Sequence, residues 1–323
     1  MRKHLVTRSR GESLDGADTS GHGVHTLRES WTRRELLRGG AAVVLGISGA
    51  DLLAACAAPP TASPTPVAGS PTPTPSPSVP EISLTATDTT FDAPGTLSAG
   101  IVRVSLENKG GVPSSLNVLR VREGKTFDEV KANFPRPDAQ LASFSLVFES
   151  FGGCIAVLPG ARCSVVLDLA AGTYALLSRA SGQPAGIVKQ LVVSQASGAT
   201  APEPVADATV SLKDGVGPAV PSMVKAATTW KVTNDGQLPH VFQIFRFKSG
   251  KTAADLASYF ANPGSGLVPA DVVAGSGVLS PGRRAWFTSE LAPGEYLDAC
   301  TVTGRNPPAA HLNEGETAKI IVG

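Results

Sequence analysis

The sequence predicts an all-β protein built from two tandem β-sandwiches, each carrying one short inserted helix. Three observations carry this. From Glu81 onward, short runs of β-branched and aliphatic residues are separated by Gly, Pro, Asn and Asp, the punctuation of strands and turns. The second half of this region repeats the motifs of the first in the same order. Each half contains a single stretch with a helix-start signal.

In the first half, Ile82-Ser-Leu-Thr-Ala86 and Ile101-Val-Arg-Val-Ser-Leu106 read as strands, followed by Ser164-Val-Val-Leu-Asp-Leu169 and Gln190-Leu-Val-Val-Ser194. Between them, Thr126 with Glu129 forms a capping-box pattern at the head of a helix running toward Phe134. The repeat is then read residue by residue. Leu106-Glu-Asn108-Lys-Gly-Gly-Val-Pro-Ser114 matches Val232-Thr-Asn234-Asp-Gly-Gln-Leu-Pro-His240, and Gly124-Lys-Thr126 matches Gly250-Lys-Thr252. Thr252 with Asp255 gives the weaker version of the cap, and Phe134 falls on Phe260. Pro159-Gly160 matches Pro281-Gly282, Ala171-Gly-Thr-Tyr174 matches Pro293-Gly-Glu-Tyr296, and Leu191-Val-Val matches Ile320-Ile-Val. Matches spread this widely imply duplicated domains, 81–195 and 206–323, joined by a small-residue linker at 196–205.

Composition narrows the function. The chain has 323 residues, 42% hydrophobic and 17% charged, with a formal net charge of +1. Near-neutrality argues against nucleic acid, whose phosphates require a basic excess. Five His and four Cys exclude multi-metal oxidases that need many imidazoles, but leave room for one small centre. No Gly-x-Ser-x-Gly elbow, zinc helix or phosphate loop is present, so an enzyme is not expected, and no small-molecule substrate is indicated.

The N-terminus reads as an address. Thr32-Arg33-Arg34-Glu-Leu-Leu-Arg38 matches the twin-arginine export pattern, and the apolar stretch after it is too short and weakly hydrophobic to span a membrane. It ends in Leu53-Ala-Ala-Cys56, which resembles the bacterial lipobox. Residues 1–55 are thus expected to be a cleaved signal, with Cys56 lipidated at the outer face of the cell membrane. Residues 56–80 then form a tether, and nine prolines between 57 and 80 would hold it extended over roughly 75 Å.

Only two histidines follow the signal. His240 begins a strand, Val241-Phe-Gln-Ile-Phe245, after Asn234-Asp-Gly-Gln-Leu-Pro239. Cys300 closes Pro293-Gly-Glu-Tyr-Leu-Asp-Ala-Cys300, and His311 precedes the last strand. This order resembles the cupredoxins, the blue-copper proteins: His on an early strand after Asn-x-Gly, then Cys, loop, His and a final strand. The resemblance covers 206–323 with the metal pattern and 81–195 by fold. It implies Greek-key sandwiches and one copper ion on His240, Cys300 and His311, with His311 toward solvent as the electron port. Thiolate plus two imidazoles suits copper in both oxidation states. Where many cupredoxins place an axial Met, this chain has Glu316 after Gly315, and Met223 falls on the wrong strand. Glu316 is therefore a fourth candidate ligand, resembling the carboxylate-ligated red-copper members in ligand type. In the first half, Ser114 and Ser178 stand at the matching positions, so that half is expected to be metal-free.

With Cys56 assigned to lipid, Cys154 and Cys163 flank the Leu158-Pro159-Gly160 turn and can pair in an exported protein. Pairing of either with Cys300 is the rival, and it would abolish a copper site. The resemblance makes the protein a membrane-anchored single-electron carrier with redox protein partners. The alternatives are a metal-free adhesion or assembly module, and a copper-holding or delivery protein.

Overall fold

The computed structural model describes residues 78–133, 146–183, 186–198, 200–262, 266–303 and 309–323. Arg33, Arg34, Cys56, most of the tether and Phe134 lie outside the described residues.

The first half runs β1 (Glu81–Ala86), β2 (Phe91–Asp92), β3 (Thr96–Ser98), β4 (Gly100–Asn108), β5 (Ser114–Val121), α1 (Phe127–Asn133), β6 (Phe148–Val157), β7 (Arg162–Leu169), β8 (Gly172–Ala180) and β9 (Ile187–Ser194). The second runs β10 (Ala208–Leu212), β11 (Ala227–Asn234), β12 (His240–Phe247), α2 (Ala253–Ala261), β13 (Ala270–Leu279), β14 (Arg284–Glu290), β15 (Gly294–Ala299), a 3₁₀ turn (His311–Glu314) and β16 (Thr317–Val322). Each half is a sandwich of two sheets.

The sheets do not stop at the boundary between halves. One has the order β10-β11-β14-β7-β4-β1-β2 and the other β16-β15-β12-β13-β6-β5-β8-β9-β3. Equivalent strands meet at the seam: β14 pairs antiparallel with β7, Trp286 opposite Val166, and β13 pairs antiparallel with β6, Leu279 opposite Phe151. Antiparallel pairing of matched strands gives the halves a local two-fold relation, like an isologous dimer joined into one chain. Pairing across the seam also removes two sheet edges that would otherwise be open to association. Ser150 and Ser280 exchange hydrogen bonds there, with the Ser150 hydroxyl donating to the Val278 carbonyl at 2.6 Å. Arg283 reaches Glu149 at 2.8 Å and lies over the Phe151 ring. Residues 196–205 do not simply space the halves apart, since Ala201 is buried with Ile101, Val166 and Trp286.

Alternation places one side chain in two between the sheets. Leu84, Val104, Leu106, Leu116, Val118 and Leu176 fill the first sandwich; Trp230, Val232, Phe242, Ile244, Phe287 and Ile320 fill the second, within one continuous cluster. The repeat extends to the polar contacts that shape the ends. Asn108 Nδ2 donates to the Val112 and Val157 carbonyls, as Asn234 Nδ2 does to Leu238 and Leu279. The Tyr174 hydroxyl donates to the Ala170 carbonyl, as Tyr296 does to Ala292. Both helices carry a complete capping box, including the Thr252–Asp255 pair that looked the weaker in sequence. Cys154 and Cys163 form a disulfide joining β6 in one sheet to β7 in the other, and Cys300 is a free, buried thiol, which removes the rival pairing.

Asn234 is fully buried and also accepts from the Gly236 N–H at 2.9 Å. Replacing it leaves two carbonyls and one N–H without partners. The Asn234→Ala variant is expected to lose roughly 2–4 kcal/mol of stability, measured by chemical denaturation, because stranded buried groups cost about 1–3 kcal/mol each and partly find water.

Candidate metal centre

The four residues singled out by the sequence meet at one end of the second sandwich. His240, Cys300, His311 and Glu316 are all buried, and one donor atom from each lies within 4.8 Å of all the others. They arrive from three places. His240 opens β12, Cys300 follows β15, and His311 and Glu316 bracket the 3₁₀ turn ahead of β16.

Local structure sets each side chain. The Asn234 contacts fold residues 234–240 back so that Pro239 delivers His240 into β12 at the proper height. Gly236 is required here: a Cβ would lie 2.8 Å from His240 Nε2 and collide with the Asp214 carboxylate. Backbone bonds zip the ligand loop closed, Cys300 N–H to the Glu316 carbonyl at 3.1 Å and Leu312 N–H to the Cys300 carbonyl at 2.9 Å. Gly315 adopts a left-handed conformation at φ 101°, which ends the 3₁₀ turn and directs Glu316 inward. From the outside, α2 contributes Leu256 to a cluster with Phe245, Ala299, Ala310 and Leu312, the neighbours of the ligands.

The distances describe a compact four-donor set. His240 Nδ1 and His311 Nδ1 are 3.2 Å apart. Cys300 Sγ lies 3.7 Å from His240 Nδ1 and 3.5 Å from His311 Nδ1. Glu316 Oε2 lies 2.8 Å from His240 Nδ1 and 3.0 Å from His311 Nδ1. Metal bonds of about 2.0–2.3 Å to N, O and S in a near-tetrahedral arrangement imply edges of roughly 3.3–3.6 Å. The nitrogen and sulfur edges match a single ion, and the shorter carboxylate edges are hydrogen-bond distances from Glu316 to the two imidazoles. The residues therefore fit one copper ion, a soft thiolate with two imidazoles and one carboxylate.

Asp214 is the functional residue that sequence reasoning missed. Its carboxylate accepts from His240 Nε2 at 2.8 Å and from the Gln237 and Leu238 N–H groups. With an ion on Nδ1, that contact would hold the proton on Nε2, the usual role of a carboxylate behind a metal-binding imidazole. The first half repeats the contact: Asp88 holds the Gly111 and Val112 N–H groups as Asp214 holds those of Gln237 and Leu238. There, Ser114 and Ser178 occupy the ligand positions and face each other at 3.4 Å.

Electrostatics agree with a site built to hold positive charge. Burial pushes the Glu316 carboxyl up, but hydrogen bonds from both imidazoles and the Gly215 N–H hold it well below the usual carboxylate range. Burial works against a charged His240, yet Glu316 and Asp214 together raise its pKa. Burial pushes the Cys300 thiol well up, with Glu316 adding to this and the Val241 N–H opposing it. The thiolate is thus costly without a cation beside it. Asp298, on β15, is fully enclosed, and burial pushes its carboxyl well up while it accepts from the Gln243 N–H. One expectation is overturned. His311 is only 1% exposed, as is His240, because the 3₁₀ turn folds it inward; it is not a solvent-side ligand. Met223 is 63% exposed and sits beside Gly323, away from the donors.

No protein-family model and no curated protein matches the chain. Solved structures similar to it include an auracyanin from Roseiflexus castenholzii, 20% identical, covering 36% of this chain and 94% of that one, with a TM-score of 0.26. Auracyanin A from Chloroflexus aurantiacus, a blue copper protein, is 20% identical over 36% of this chain and 99% of that one, at a TM-score of 0.24. A blue copper oxidase from Nitrosomonas europaea is 15% identical over 76% and 86%, at 0.22. At these scores the reading of the site rests on the chain's own residues. Those residues build two β-sandwiches that share their sheets, with a donor set in the second.

Titration with Cu(II) is expected to saturate at one ion per chain with a thiolate-to-metal charge-transfer band, absent in Cys300→Ser. Asp214→Asn is expected to keep the band but weaken affinity by roughly 10–100-fold, as loss of the carboxylate behind a ligand imidazole does.

Proposed function

We propose that this protein is an extracytoplasmic copper-binding protein that carries single electrons, anchored to the membrane through lipid on Cys56. The observation that carries the redox part is the convergence of two Nδ1 atoms, one thiol sulfur and one carboxylate oxygen in a buried cluster, with the Asp214 carboxylate on the far nitrogen of His240. Copper on such a set supplies one-electron chemistry, cycling between Cu(I) and Cu(II).

The protein's share of that work is positioning and charge. The ligand loop is locked by backbone hydrogen bonds at Cys300, His311, Leu312 and Glu316, so the donors hold still when charge changes. The Val241 N–H lies 3.5 Å from the Cys300 sulfur and draws off part of its charge. Glu316 does the reverse: a buried carboxylate beside the thiolate favours the more positive ion and lowers the potential.

The two alternatives fare less well. A metal-free module would bury a thiol, two imidazoles and a carboxylate together, an arrangement that costs desolvation even when the groups hydrogen-bond to one another. A delivery protein needs a donor that a partner can reach, and all four residues are at most 3% exposed. An oxidase needs further metal ligands; among the described residues this is the one cluster of its kind.

The anchoring part rests on the order of Arg33-Arg34, Leu53-Ala-Ala-Cys56 and the proline-rich tether. Among the described residues no helix is long and apolar enough to cross a membrane.

Two measurements test these readings. Voltammetry of the copper-loaded protein is expected to give a reversible one-electron wave, and Glu316→Met to move it upward, by roughly 60 mV for each tenfold relative loss of Cu(II) over Cu(I) affinity. An irreversible wave, or ready loss of Cu(I) to a chelator, would favour delivery. Cys56→Ser is expected to move the protein from the membrane fraction to the soluble one, and unchanged membrane association would remove the lipid anchor.

A further inference from the structure

Among the described residues the first sandwich holds no metal-ligand cluster, yet one of its side chains packs on the cluster that holds the thiol of the second. Ile155, near the end of β6, packs on the cluster formed by Val241, Cys300 and Val302. Its backbone is arranged for this. The β5–β6 ladder slips register between Ser114 and Leu116, and Ala156, the next residue, has φ 49°, a left-handed conformation. Among the described residues no other non-glycine residue has a positive φ. A bulge of this kind re-aims a side chain, and strain at a non-glycine residue persists only where its surroundings enforce it. The receiving surface is cut to match: at Gly275 of β13 a Cβ would lie 2.7 Å from Ile155 Cδ1 and equally close to the Phe242 carbonyl.

On its other side Ile155 faces a cleft. A cavity of about 410 Å³ runs along the seam, lined by Ile155, Leu158, Cys163, Val273 and Phe287 among others, and Leu158 at its rim is 61% exposed. Ile155 thus both lines a solvent-connected cleft and packs on the cluster that contains a thiol only 3% exposed.

We infer that Ile155 of the first sandwich is the insulating residue of the metal centre, a plug that keeps water and small oxidants in the seam cleft away from the Cys300 sulfur. The metal-free half then acts on the centre as a built-in cover, and the continuous sheets hold that cover in register. Buried cysteines are inert chiefly because reagents cannot reach them, so removing the plug makes Cys300 reactive. The inference builds on the copper reading for its purpose, but its geometry concerns only the thiol.

The test uses the full chain without metal, with iodoacetamide as probe and modification at Cys300 read by peptide mass. In Ile155→Ala the alkylation rate is expected to rise roughly tenfold or more, while near-ultraviolet circular dichroism stays native, because access and not global opening is changed. Ile155→Val is expected to restore most of the protection, and Leu158→Ala, which alters the cleft without touching the thiol cluster, to leave it unchanged. Should Ile155→Ala fail to fold, Ile155→Thr against Ile155→Val makes the same comparison at constant β-branching, with Thr the faster. Equal rates for wild type and a folded Ile155→Ala, equal rates for Thr and Val, or equal deprotection by Leu158→Ala would overturn the inference. Failure of copper to bind leaves this experiment intact, and loss of protection on its own leaves the copper reading intact. In copper-loaded protein, Ile155→Ala is further expected to shift the charge-transfer band, since water then approaches the sulfur.

Discussion

His240 sits between two carboxylates, Asp214 at Nε2 and Glu316 at Nδ1, each 2.8 Å away, in a place where the ring is 1% exposed. Everything else in the centre depends on how that conflict is resolved. A neutral imidazole has one N–H and cannot donate to both, whereas an imidazolium can, at the cost of a buried positive charge. A metal ion held on Nδ1 would resolve it differently, with the proton on Nε2 for Asp214 and Glu316 as a fourth candidate ligand or close counter-charge. His311 Nδ1 points at the same carboxylate oxygen, and the thiol sulfur completes the ring of donors. The geometry that looks over-charged without an ion is balanced with one.

That balance requires the donors to be held against one another, and the holding is mostly backbone. The ligand loop is fastened to itself by hydrogen bonds, to the sandwich by β16 pairing along its length with β15, and to α2 by apolar contacts. The first sandwich adds rigidity by continuing both sheets through β7 and β6. The shared sheets thus tie the strands that carry the donors into one hydrogen-bonded frame.

Much of this was legible in the residues. Alternation and turn chemistry reveal the strands, the matched Asn108 and Asn234 reveal the repeat, and the His-Cys-His order with Glu316 reveals the donor set. What was not legible is tertiary. Asp214 sits in an ordinary Lys-Asp-Gly turn, and only the fold brings it behind His240. The seam could not be read because β6 and β13 look like any buried strands; their partner is decided by which edges remain free. His311 read as a solvent-side ligand because its burial depends on the 3₁₀ turn, a feature with no periodicity to detect. Ile155 was one more apolar residue beside a disulfide until the bulge at Ala156 showed where it points.

The two halves also separate what the fold needs from what the site needs. The first has the same Asn clamp, the same Asp on the loop N–H groups and the same Tyr corner, and it closes its end with Ser114 and Ser178 instead of ligands. A sandwich of this design can therefore close its ligand end with two hydroxyls, and the fold does not require the donor set. In the second half the same frame, built from the apolar core and these polar contacts, places one donor atom from each of four side chains within 4.8 Å of the others. The frame belongs to the fold, and the donors are side chains set into it.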